Sequence, residues 1–389
     1  MRDSLVVDAQ DIPDIIEHFS RLEDPRSEIN RQHPLVSVIV TSLMAVLANA
    51  DGPTAIARWA SLKADFLSEH LNFPNGIPGK DCFRRVLSAL NPTAFQDCFS
   101  AWPNSLRAQA AEKAGVTQPI LSVDGKSLRR SHDHNSGLGV LHSVSVWCSE
   151  FGLSLGQVAC EEKSNEITAI PPVLKRVDLK GAIVTIDAMG TQTAIAEQIV
   201  DGEGDYVLVL KDNQKALYRA TVDDMNEQME TDFTKVVCRR HQTQETGHGR
   251  EEIRTDIQMP VPKDLRGADR WKGLRTIGIV LLTCLRNGKE TTECRYDISS
   301  LRLDVKQFAH AVRSHWGIEN GCHRRLDMTY REDESRIRNA NLRENFAWLR
   351  RITLSLLKQS QGKESVAMRR RACAWDDNVM LQVITGSGA

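Results

Sequence analysis

Leu121-Ser-Val-Asp-Gly-Lys-Ser-Leu-Arg-Arg130 is the stretch on which the interpretation of this chain depends. Its apolar residues predict a short strand that carries Asp124 to its end, where the following glycine lets the backbone turn. Three cations come next: Lys126, Arg129 and Arg130. A carboxylate at a strand end beside cations suits a metal ion that meets a phosphate. Asp-Gly is also common in surface turns, so the stretch indicates chemistry only if partner carboxylates occur later in the chain.

The composition is that of an ordinary soluble protein with two or three domains. The chain has 389 residues, of which 41% are hydrophobic and 26% charged. Lys plus Arg is 50 and Asp plus Glu is 51, so the net charge indicates no partner. Residues 313–371 hold 14 Lys and Arg against 7 Asp and Glu, a local surplus of 7 positive charges. This surplus suits phosphate contacts, or equally a solvated helical face.

No part of the sequence predicts export or a membrane span. None of the nine cysteines forms a CxxC pair, which favours reduced thiols and a cytoplasmic location. Residues 1–10 are mixed polar and acidic, unlike a secretory signal. Residues 34–50 are the most apolar run, but polar residues interrupt it, so a buried helix is predicted there.

Residues 1–115 are predicted to form a helical N-terminal domain. Pro34, Pro53 and Pro92 mark helix starts, as proline at a first turn often does. Another helix follows Ile77 and carries the adjacent Arg84 and Arg85. A helix with paired arginines could enter a DNA groove. A domain that only packs is an equal alternative, because no helix-turn-helix signature is clear.

Residues 116–234 change character and predict a mixed α/β sheet covered by helices on both sides. Strands are predicted at residues 120–123, 139–147, 153–161, 181–187 and 206–210, with helices at 166–177, 191–200 and from 214. The fourth of these strands is a continuous apolar run, typical of a strand buried on both faces. It ends at Asp187.

The remaining chain divides into a β-rich insertion, residues 235–303, and a helical segment, residues 304–389. Asn287-Gly288 predicts a hairpin turn between strands at 277–285 and 292–298. The last helix is predicted to run from Arg369 to Val383.

Asp124, Asp187 and Glu319 form the candidate carboxylate set. Asp124 and Asp187 each end an apolar strand; if those two strands are parallel neighbours, both carboxylates lie at the same sheet edge, where α/β sites form. Glu319 is the best third candidate, because Trp316 and Ile318 would anchor its helix on the sheet. Three oxygen donors favour Mg²⁺ or Mn²⁺. Two such ions about 4 Å apart can activate a water or a 3′-hydroxyl and stabilise the leaving oxygen of a phosphodiester.

Several motifs together resemble one family. They are Asp124-Gly-Lys, Thr185-Ile-Asp187-Ala, Leu210-Lys-Asp-Asn-Gln214, Gly247-His-Gly-Arg250, Tyr296-Asp-Ile-Ser-Ser-Leu301 and His315-Trp-Gly-Ile-Glu-Asn320. In this order they resemble the DDE transposases of bacterial insertion sequences, in the ISAs group with its H-repeat-associated relatives. The resemblance covers nearly the whole chain.

The resemblance implies fold, activity and partners. The fold would be an RNase H-like core with a β-rich insertion before the glutamate. Asp124, Asp187 and Glu319 would be the catalytic and metal-binding triad, with Mg²⁺ or Mn²⁺, two ions in all. The reaction would be cleavage of double-stranded DNA at terminal inverted repeats, followed by attack of the 3′-hydroxyl on target DNA. A homodimer on DNA, in the nucleoid of a bacterial cytoplasm, is expected.

The cations around the glutamate depart from the related pattern, which has a Tyr and an Arg before the glutamate and a Lys after it. At the distance from the glutamate where the related pattern has its arginine (the arginine-spaced position), this chain has His315, with Arg313 two residues earlier. Leu326 takes the lysine-spaced position. The predicted DNA contacts are Lys126, Arg129, Arg313, His315, Arg325, Arg84 and Arg85.

Two other functions fit the same sequence. A domesticated or inactive descendant would bind DNA without cutting it. An RNase H-like nuclease for branched DNA is a weaker alternative, because it gives no role to the N-terminal helices or the insertion. Retention of all three acids favours an active transposase.

Overall fold

The computed structural model describes residues 13–133, 135, 137–160, 166–247, 249–360 and 362–386. Its first part is helical, as predicted. The helices are α1 Pro13–Ser20, α2 Leu35–Leu47, α3 Pro53–Leu62, α4 Ala64–His70, α5 Lys80–Ala89 and α6 Pro92–Ala114. Pro34 caps α2, and prolines open α3 and α6, because a residue at the first turn needs no backbone N–H donor.

Helix α2 confirms the predicted buried helix. All but one of its residues are buried, including Thr41 and Ser42. Their hydroxyls donate to the carbonyls of Ser37 and Val38 at 2.6 and 2.7 Å, so burial leaves neither hydroxyl unpaired. Within the described part of the chain, no helix is both long and apolar enough to cross a membrane.

The following segment forms one mixed sheet with its helices. In chain order the elements are β1 Ile120–Leu128, β2 Leu141–Cys148, β3 Leu153–Cys160, α7 Glu166–Leu174, β4 Ile183–Ile186, α8 Thr193–Asp201, β5 Asp205–Leu210, α9 Lys215–Glu230, β6 Arg239–Gly247, β7 Arg250–Pro260, β8 Thr276–Arg286 and β9 Lys289–Ser299. The nine strands lie in the order β3-β2-β1-β4-β5-β9-β8-β7-β6. β1, β4 and β5 are parallel neighbours, and the other pairs are antiparallel.

The prediction that β1 ends at Asp124 is wrong. The strand continues to Leu128, because β2 pairs with it antiparallel over that whole length, and Gly125 is paired with Val144 rather than lying in a turn. The parallel pairing of β1 with β4 stops one residue before Asp124, at Val123. The condition of parallel neighbouring strands is therefore met, although the Asp124 carboxylate stands inside a strand.

The β-rich segment extends the same sheet instead of forming a separate layer. β9 pairs antiparallel with β5, from Leu210 opposite Tyr296 to Val207 opposite Ser299. β8 and β9 form the predicted hairpin, in which Asn287 and Gly288 have φ angles of 51° and 73°. Continuous hydrogen bonding thus connects the insertion to the strand beside β4.

The C-terminal segment is helical, with one feature that the sequence analysis missed. Its elements are α10 Val305–Gly317, a π-helical turn Ile318–His323, α11 Arg324–Tyr330, α12 Ala340–Gln359, α13 Val366–Trp375 and α14 Asp377–Thr385. The single final helix predicted from Arg369 to Val383 is wrong. Asp376 has extended backbone angles and caps α14 by accepting from the backbone N–H of Asn378 at 2.8 Å.

Helix α12 joins the two ends of the chain. Residues Leu342 to Leu357 of α12 are almost all buried, between the N-terminal helices and β3. Phe346, Trp348 and Leu349 belong to the same apolar core as α1–α6, α13 and α14. The helices at the N-terminus therefore share one core with the C-terminal helices. A second core fills the opposite face of the sheet, under α7, α8 and α9.

Helix α10 lies directly on the sheet. Phe308 and Val312 pack with Ile120, Ile183 and Val207 of the parallel strands. A Cβ added to the glycine at position 278 of β8 would overlap the Phe308 ring, so the helix sits closer to the sheet than any other residue there would allow.

The basic surplus of residues 313–371 is partly internal, which neither predicted alternative included. Arg350, Arg351 and Arg370 are buried. The fully buried carboxylate of Glu332 lies 3.5 Å from Arg351 and 3.8 Å from Arg350. These charges stabilise the interior and are not available to DNA. All nine cysteines are free thiols, as predicted.

Candidate active site

Asp124 and Asp187 stand side by side, because β1 and β4 are parallel and each aspartate directly follows the last residue pair between these two strands. The Asp124 carboxylate accepts from the N–H of Gly125 at 2.8 Å, and that of Asp187 from the N–H of Gly190 at 3.2 Å. A Cβ on Gly190 would overlap an isoleucine on each side, so only glycine permits this tight turn.

Glu319 approaches from the end of α10. The hydroxyls of Ser122 and Ser149 both donate to the carbonyl of Ser314, at 3.2 and 3.0 Å, and tie the end of the helix to the sheet. Ile318 is buried, as the predicted anchor requires. Trp316 is half-exposed, so its predicted anchoring role is wrong. Glu319 lies in the π-helical turn, a distortion that is frequent at functional sites.

The three carboxylates line one cavity of about 260 Å³. Its wall consists of Asp124, Asp187, Ala188, Val209, Lys211, Arg295, His315, Trp316, Ile318 and Glu319. Strands β1, β4, β5 and β9 and the α10 helix each contribute part of it. The structure thus brings together the predicted acids from positions up to 195 residues apart in the chain.

The electrostatics of this cavity suit a cation. The pKa of Asp124 is raised to about 7. Burial is the main cause, and the negative charges of Asp187, Glu166 and Glu319 add to it, while the hydrogen bond from Gly125 opposes the shift. Within the described residues, neither Asp187 nor Glu319 forms an ion pair. A set of mutually repelling carboxylates is the donor type that hard divalent cations bind.

The donor set fits a metal in chemistry, while its present spacing is too wide for one ion. Among the described residues, no group of three His, Cys, Asp or Glu side chains lies close enough to hold an ion as it stands. Asp124, Asp187 and Glu319 are the residues that would hold it, since side chains at a sheet edge and in a helical turn can close by rotamer changes.

Glu166, at the start of α7, is a fourth acid near the site that the sequence analysis missed. A Cβ on Gly125 would lie 2.5 Å from its carboxyl carbon. Gly125 therefore leaves room for the Glu166 carboxyl beside β1 and does not form a turn. Glu166 is separated by 42 positions from Asp124, and no pattern in the sequence signals that α7 returns there.

His315 is partly buried and lies in the wall of the cavity. Its Nδ1 lies 3.1 Å from the Thr185 hydroxyl, next to the cavity. Burial lowers its pKa to about 4, and the positive charge of Arg295 lowers it further. The imidazole is therefore neutral at pH 7 and supplies no positive charge to the site.

Two cations of the Leu121–Arg130 stretch, Lys126 and Arg129, lie close to acids. Lys126 is buried, and its Nζ lies 2.6 Å from Asp327 and 3.5 Å from Asp333. This geometry disfavours the predicted DNA contact of Lys126, because an ion-paired, buried ammonium is not accessible to a phosphate. Arg129 is exposed and lies 3.4 Å from Asp333, so it stays available at the surface.

The remaining predicted cations lie on the surface in three separate places. Arg313 of α10 pairs with Glu245 of β6 at 2.6 Å. Arg325 is exposed on α11. Arg84 and Arg85 are exposed on α5, and Arg84 is paired with Asp81 at 2.8 Å.

Arg84 and Arg85 belong to a large groove of about 910 Å³, here termed the basic groove. Its charged lining is Arg26, Lys80, Asp81, Arg84, Arg85 and Arg338. The first five come from the N-terminal part and Arg338 from the loop before α12, so the groove crosses both ends of the chain. Sequence analysis missed Arg338, because only the shared core brings these segments together.

Comparison with known proteins shows the family of the chain. The profile of the family described as Transposase DDE domain matches residues 116–356, and that of a domain associated with it matches residues 16–103. The chain belongs to the DDE transposases. It acts on DNA in transposition, and this class of enzyme transfers phosphoryl groups with the help of a divalent metal.

The individual relatives place it in the H-repeat-associated group. "H repeat-associated putative transposase YhhI" of Escherichia coli strain K12 is 34% identical over 385 residues, which cover 96% of this chain and 98% of the relative. YncI of Escherichia coli O157:H7 is 34% identical over 365 residues, 92% of this chain and 91% of the relative. A piggyBac transposase solved in a synaptic complex with hairpin DNA covers 97% of this chain and 78% of its own, but at 12% identity and a TM-score of 0.39 it carries no argument.

Proposed function

We propose that Asp124, Asp187 and Glu319 form the catalytic triad that cleaves DNA at the ends of an insertion sequence and joins the freed 3′-hydroxyl to target DNA. The observation that carries this assignment is that three carboxylates from β1, β4 and the π-helical turn line one cavity. Their positions at a parallel-strand edge and at a helix distortion are typical of functional sites.

Mg²⁺ or Mn²⁺ is the proposed cofactor, as two ions that together would activate a hydroxyl and stabilise the leaving oxygen. The protein's part is orientation. The Gly125 and Gly190 N–H groups fix one oxygen of each aspartate, and the two serine bonds to Ser314 fix the end of α10 that carries Glu319. Positioning of this kind supplies much of the barrier reduction in phosphoryl transfer.

An RNase H-like core is the proposed architecture of the catalytic part, formed by residues 116–234 and 304–389 around the insertion at 235–303. The antiparallel meander of β1, β2 and β3, followed by β4 and β5 parallel to β1, supports it. Residues 1–115 are proposed to read the DNA ends as a helical module, although their core is shared with α12.

Double-stranded DNA is the proposed partner, through its terminal inverted repeats and target site, with two copies of the protein acting on paired ends in the bacterial nucleoid. The basic groove is the proposed docking surface for the DNA backbone. Arg26 is engaged by Asp24, which leaves four exposed cations, Lys80, Arg84, Arg85 and Arg338, against Asp81 in the groove. Such a surface suits a chain of phosphates, because arginines bind phosphate oxygens in a bidentate manner.

Strand cleavage of labelled DNA that carries the gene's own flanking sequence tests the proposed function. With Mg²⁺ or Mn²⁺, wild type is expected to nick at a fixed phosphate, and Glu319→Gln is expected to lose nicking on the order of 10³-fold, since it removes one anionic ligand of a preorganised site. Glu69→Gln, at an exposed position of α4, is the matched control and should cut normally. Sequence-selective binding without cutting by wild type would favour a DNA-binding descendant that has lost activity.

Charge reversal in the basic groove should weaken binding to end DNA at all sequences. In Arg84→Glu/Arg85→Glu, loss of two phosphate contacts is expected to reduce the slope of log affinity against log salt by about 2. Arg266→Glu/Arg270→Glu, which reverses two exposed charges near β8, is the control with the same net charge. Equal salt slopes for wild type and the α5 variant, measured by fluorescence anisotropy, would move the docking surface elsewhere.

A further inference from the structure

We infer that Arg295, held by the buried carboxylate of Asp297, forms with Lys211 a binding site for the reacting phosphodiester group of DNA. The inference rests on the proposed function, because it places this group in the cavity of the three carboxylates. Arg295 and Lys211 would supply the positive charge that this chain lacks at positions 315 and 326, where the related pattern has an Arg and a Lys.

The first argument is the charge distribution of the cavity. Its acids lie in β1, directly after β4 and in the π-helical turn, whereas its cations are Lys211, directly after β5, and Arg295 of β9. The acids would hold the metal, and fixed positive groups would stabilise the negative charge of a phosphodiester undergoing transfer. A cavity of about 260 Å³ is large enough for a phosphate group and its two ester oxygens.

The second argument is the way in which Arg295 is held. Its Nε donates to Oδ2 of Asp297 at 3.1 Å, from two positions away on the same face of β9. Asp297 has no exposed surface, so the carboxylate is a fixed internal support. With Nε engaged, the two terminal nitrogens of the guanidinium remain for a ligand, and they form no hydrogen bond with the described residues.

The third argument is the accumulation of guanidinium groups beside the cavity. Arg254 of β7 lies close enough to Arg313 of α10 and to Arg295 for both positive charges to lower the pKa of Arg254. Arg254 is partly buried, and its Nε has no hydrogen-bond partner among the described residues. Asp256 lies opposite Val280, which lies opposite Arg295, so this acid shares one row and face of the sheet with Arg295 and offsets part of the positive charge. Arg254 adds positive charge next to Arg295, which lines the cavity.

The fourth argument is the absence of cations where the related pattern has them. His315 at the arginine-spaced position is neutral and bonded to Thr185. Leu326 at the lysine-spaced position is fully buried. The two substitutes are unlike each other: Arg295 is a rigid planar fork fixed at Nε, whereas Lys211 is an exposed point charge that follows β5. Arg295 would set the orientation of the phosphate and Lys211 would add attraction.

A double-mutant cycle, in which one change is made in the protein and the other in the DNA, tests whether Arg295 contacts the phosphate at the cleaved position. End DNA carries either a normal phosphate or an uncharged methylphosphonate at the cleaved position, and binding is measured with Mg²⁺ in the Glu319→Gln background to prevent cutting. Removing a charge-assisted contact should weaken binding about tenfold, whether the phosphate or Arg295 (as Arg295→Gln) loses its charge. If Arg295 contacts this phosphate, Arg295→Gln should bind the methylphosphonate DNA no more weakly than it binds normal DNA.

A merely structural role of Arg295 predicts a different result. In that case the two losses multiply to about a hundredfold, and the inference is overturned. A methylphosphonate three nucleotides away serves as the position control and should give multiplicative losses. Arg302→Gln, an exposed arginine in the loop after β9, is the matched protein control and should show no coupling to either phosphate.

Two further variants separate contact from support. Arg295→Lys keeps the charge but loses the Asp297 bond, and should recover binding of the normal phosphate in part. Asp297→Asn should reduce the coupling without abolishing it, because the amide oxygen can still accept from Nε while its charge is gone. Full coupling in Asp297→Asn would remove Asp297 from the positioning role. If wild type cleaves DNA but no coupling is found, the inference fails and the triad stands; if wild type does not cleave, the proposed function fails first.

Discussion

Asp187→Asn is expected to abolish strand cleavage and leave DNA binding intact. The substitution keeps the size of the side chain and the oxygen that accepts from Gly190, so the turn after β4 should fold as before. It removes one negative charge from the cavity, where a divalent cation would need it most. We expect a rate loss on the order of 10³-fold in a single-turnover nicking assay with Mg²⁺.

Asp223→Asn is the matched control for this prediction, because Asp223 is exposed on α9 on the other side of the sheet. Its cleavage rate and DNA affinity should equal those of wild type. Cleavage by Asp187→Asn at the wild-type rate would falsify the triad. Loss of DNA binding together with cleavage would instead indicate that the substitution had disturbed the fold.

Glu332→Ala should strongly destabilise the fold. Glu332 is fully buried, and it is the carboxylate that Arg350 and Arg351 share at 3.8 and 3.5 Å. Its removal leaves two buried guanidinium groups without their counter-charge, and breaking a buried pair in this way costs about 3–5 kcal/mol. We expect this loss in the free energy of unfolding, measured by urea denaturation.

Glu334→Ala is the control, since Glu334 lies two residues away and pairs with Arg331 at the surface. Exposed ion pairs contribute about 0–1 kcal/mol, so this variant should unfold nearly as wild type does. Equal stability of the two variants would show that the interior arginines find other partners. The comparison isolates burial, because the side chain removed is the same.

The sequence predicted those parts of the site that depend on local pattern. An apolar run followed by aspartate indicated the buried strand that ends before Asp187, whereas its parallel pairing with β1 was a condition that the structure supplied. The hairpin at Asn287-Gly288 was equally local. The end of β1 could not be predicted from the local pattern, because the strand continues to Leu128 through its pairing with β2.

The parts that were missed depend on contacts between distant segments. Arg295 enters the cavity only because β9 pairs with β5 in one register, and a slip of one residue would turn it to the other face. Glu166 and Arg338 come close to their sites by the packing of α7 and of the loop before α12. The interior position of Arg350 and Arg351 also could not be distinguished from a charged surface helix, since both have the same local composition.

The packing of α12 against the first helices has a consequence for how the protein is made. Those helices leave the ribosome long before α12, α13 and α14 are synthesised, yet they share one apolar core with them. Until translation is nearly complete, the early helices lack the surface against which Phe346, Trp348 and Leu349 pack. A gene copy shortened at its 3′ end therefore encodes a chain that cannot complete this core.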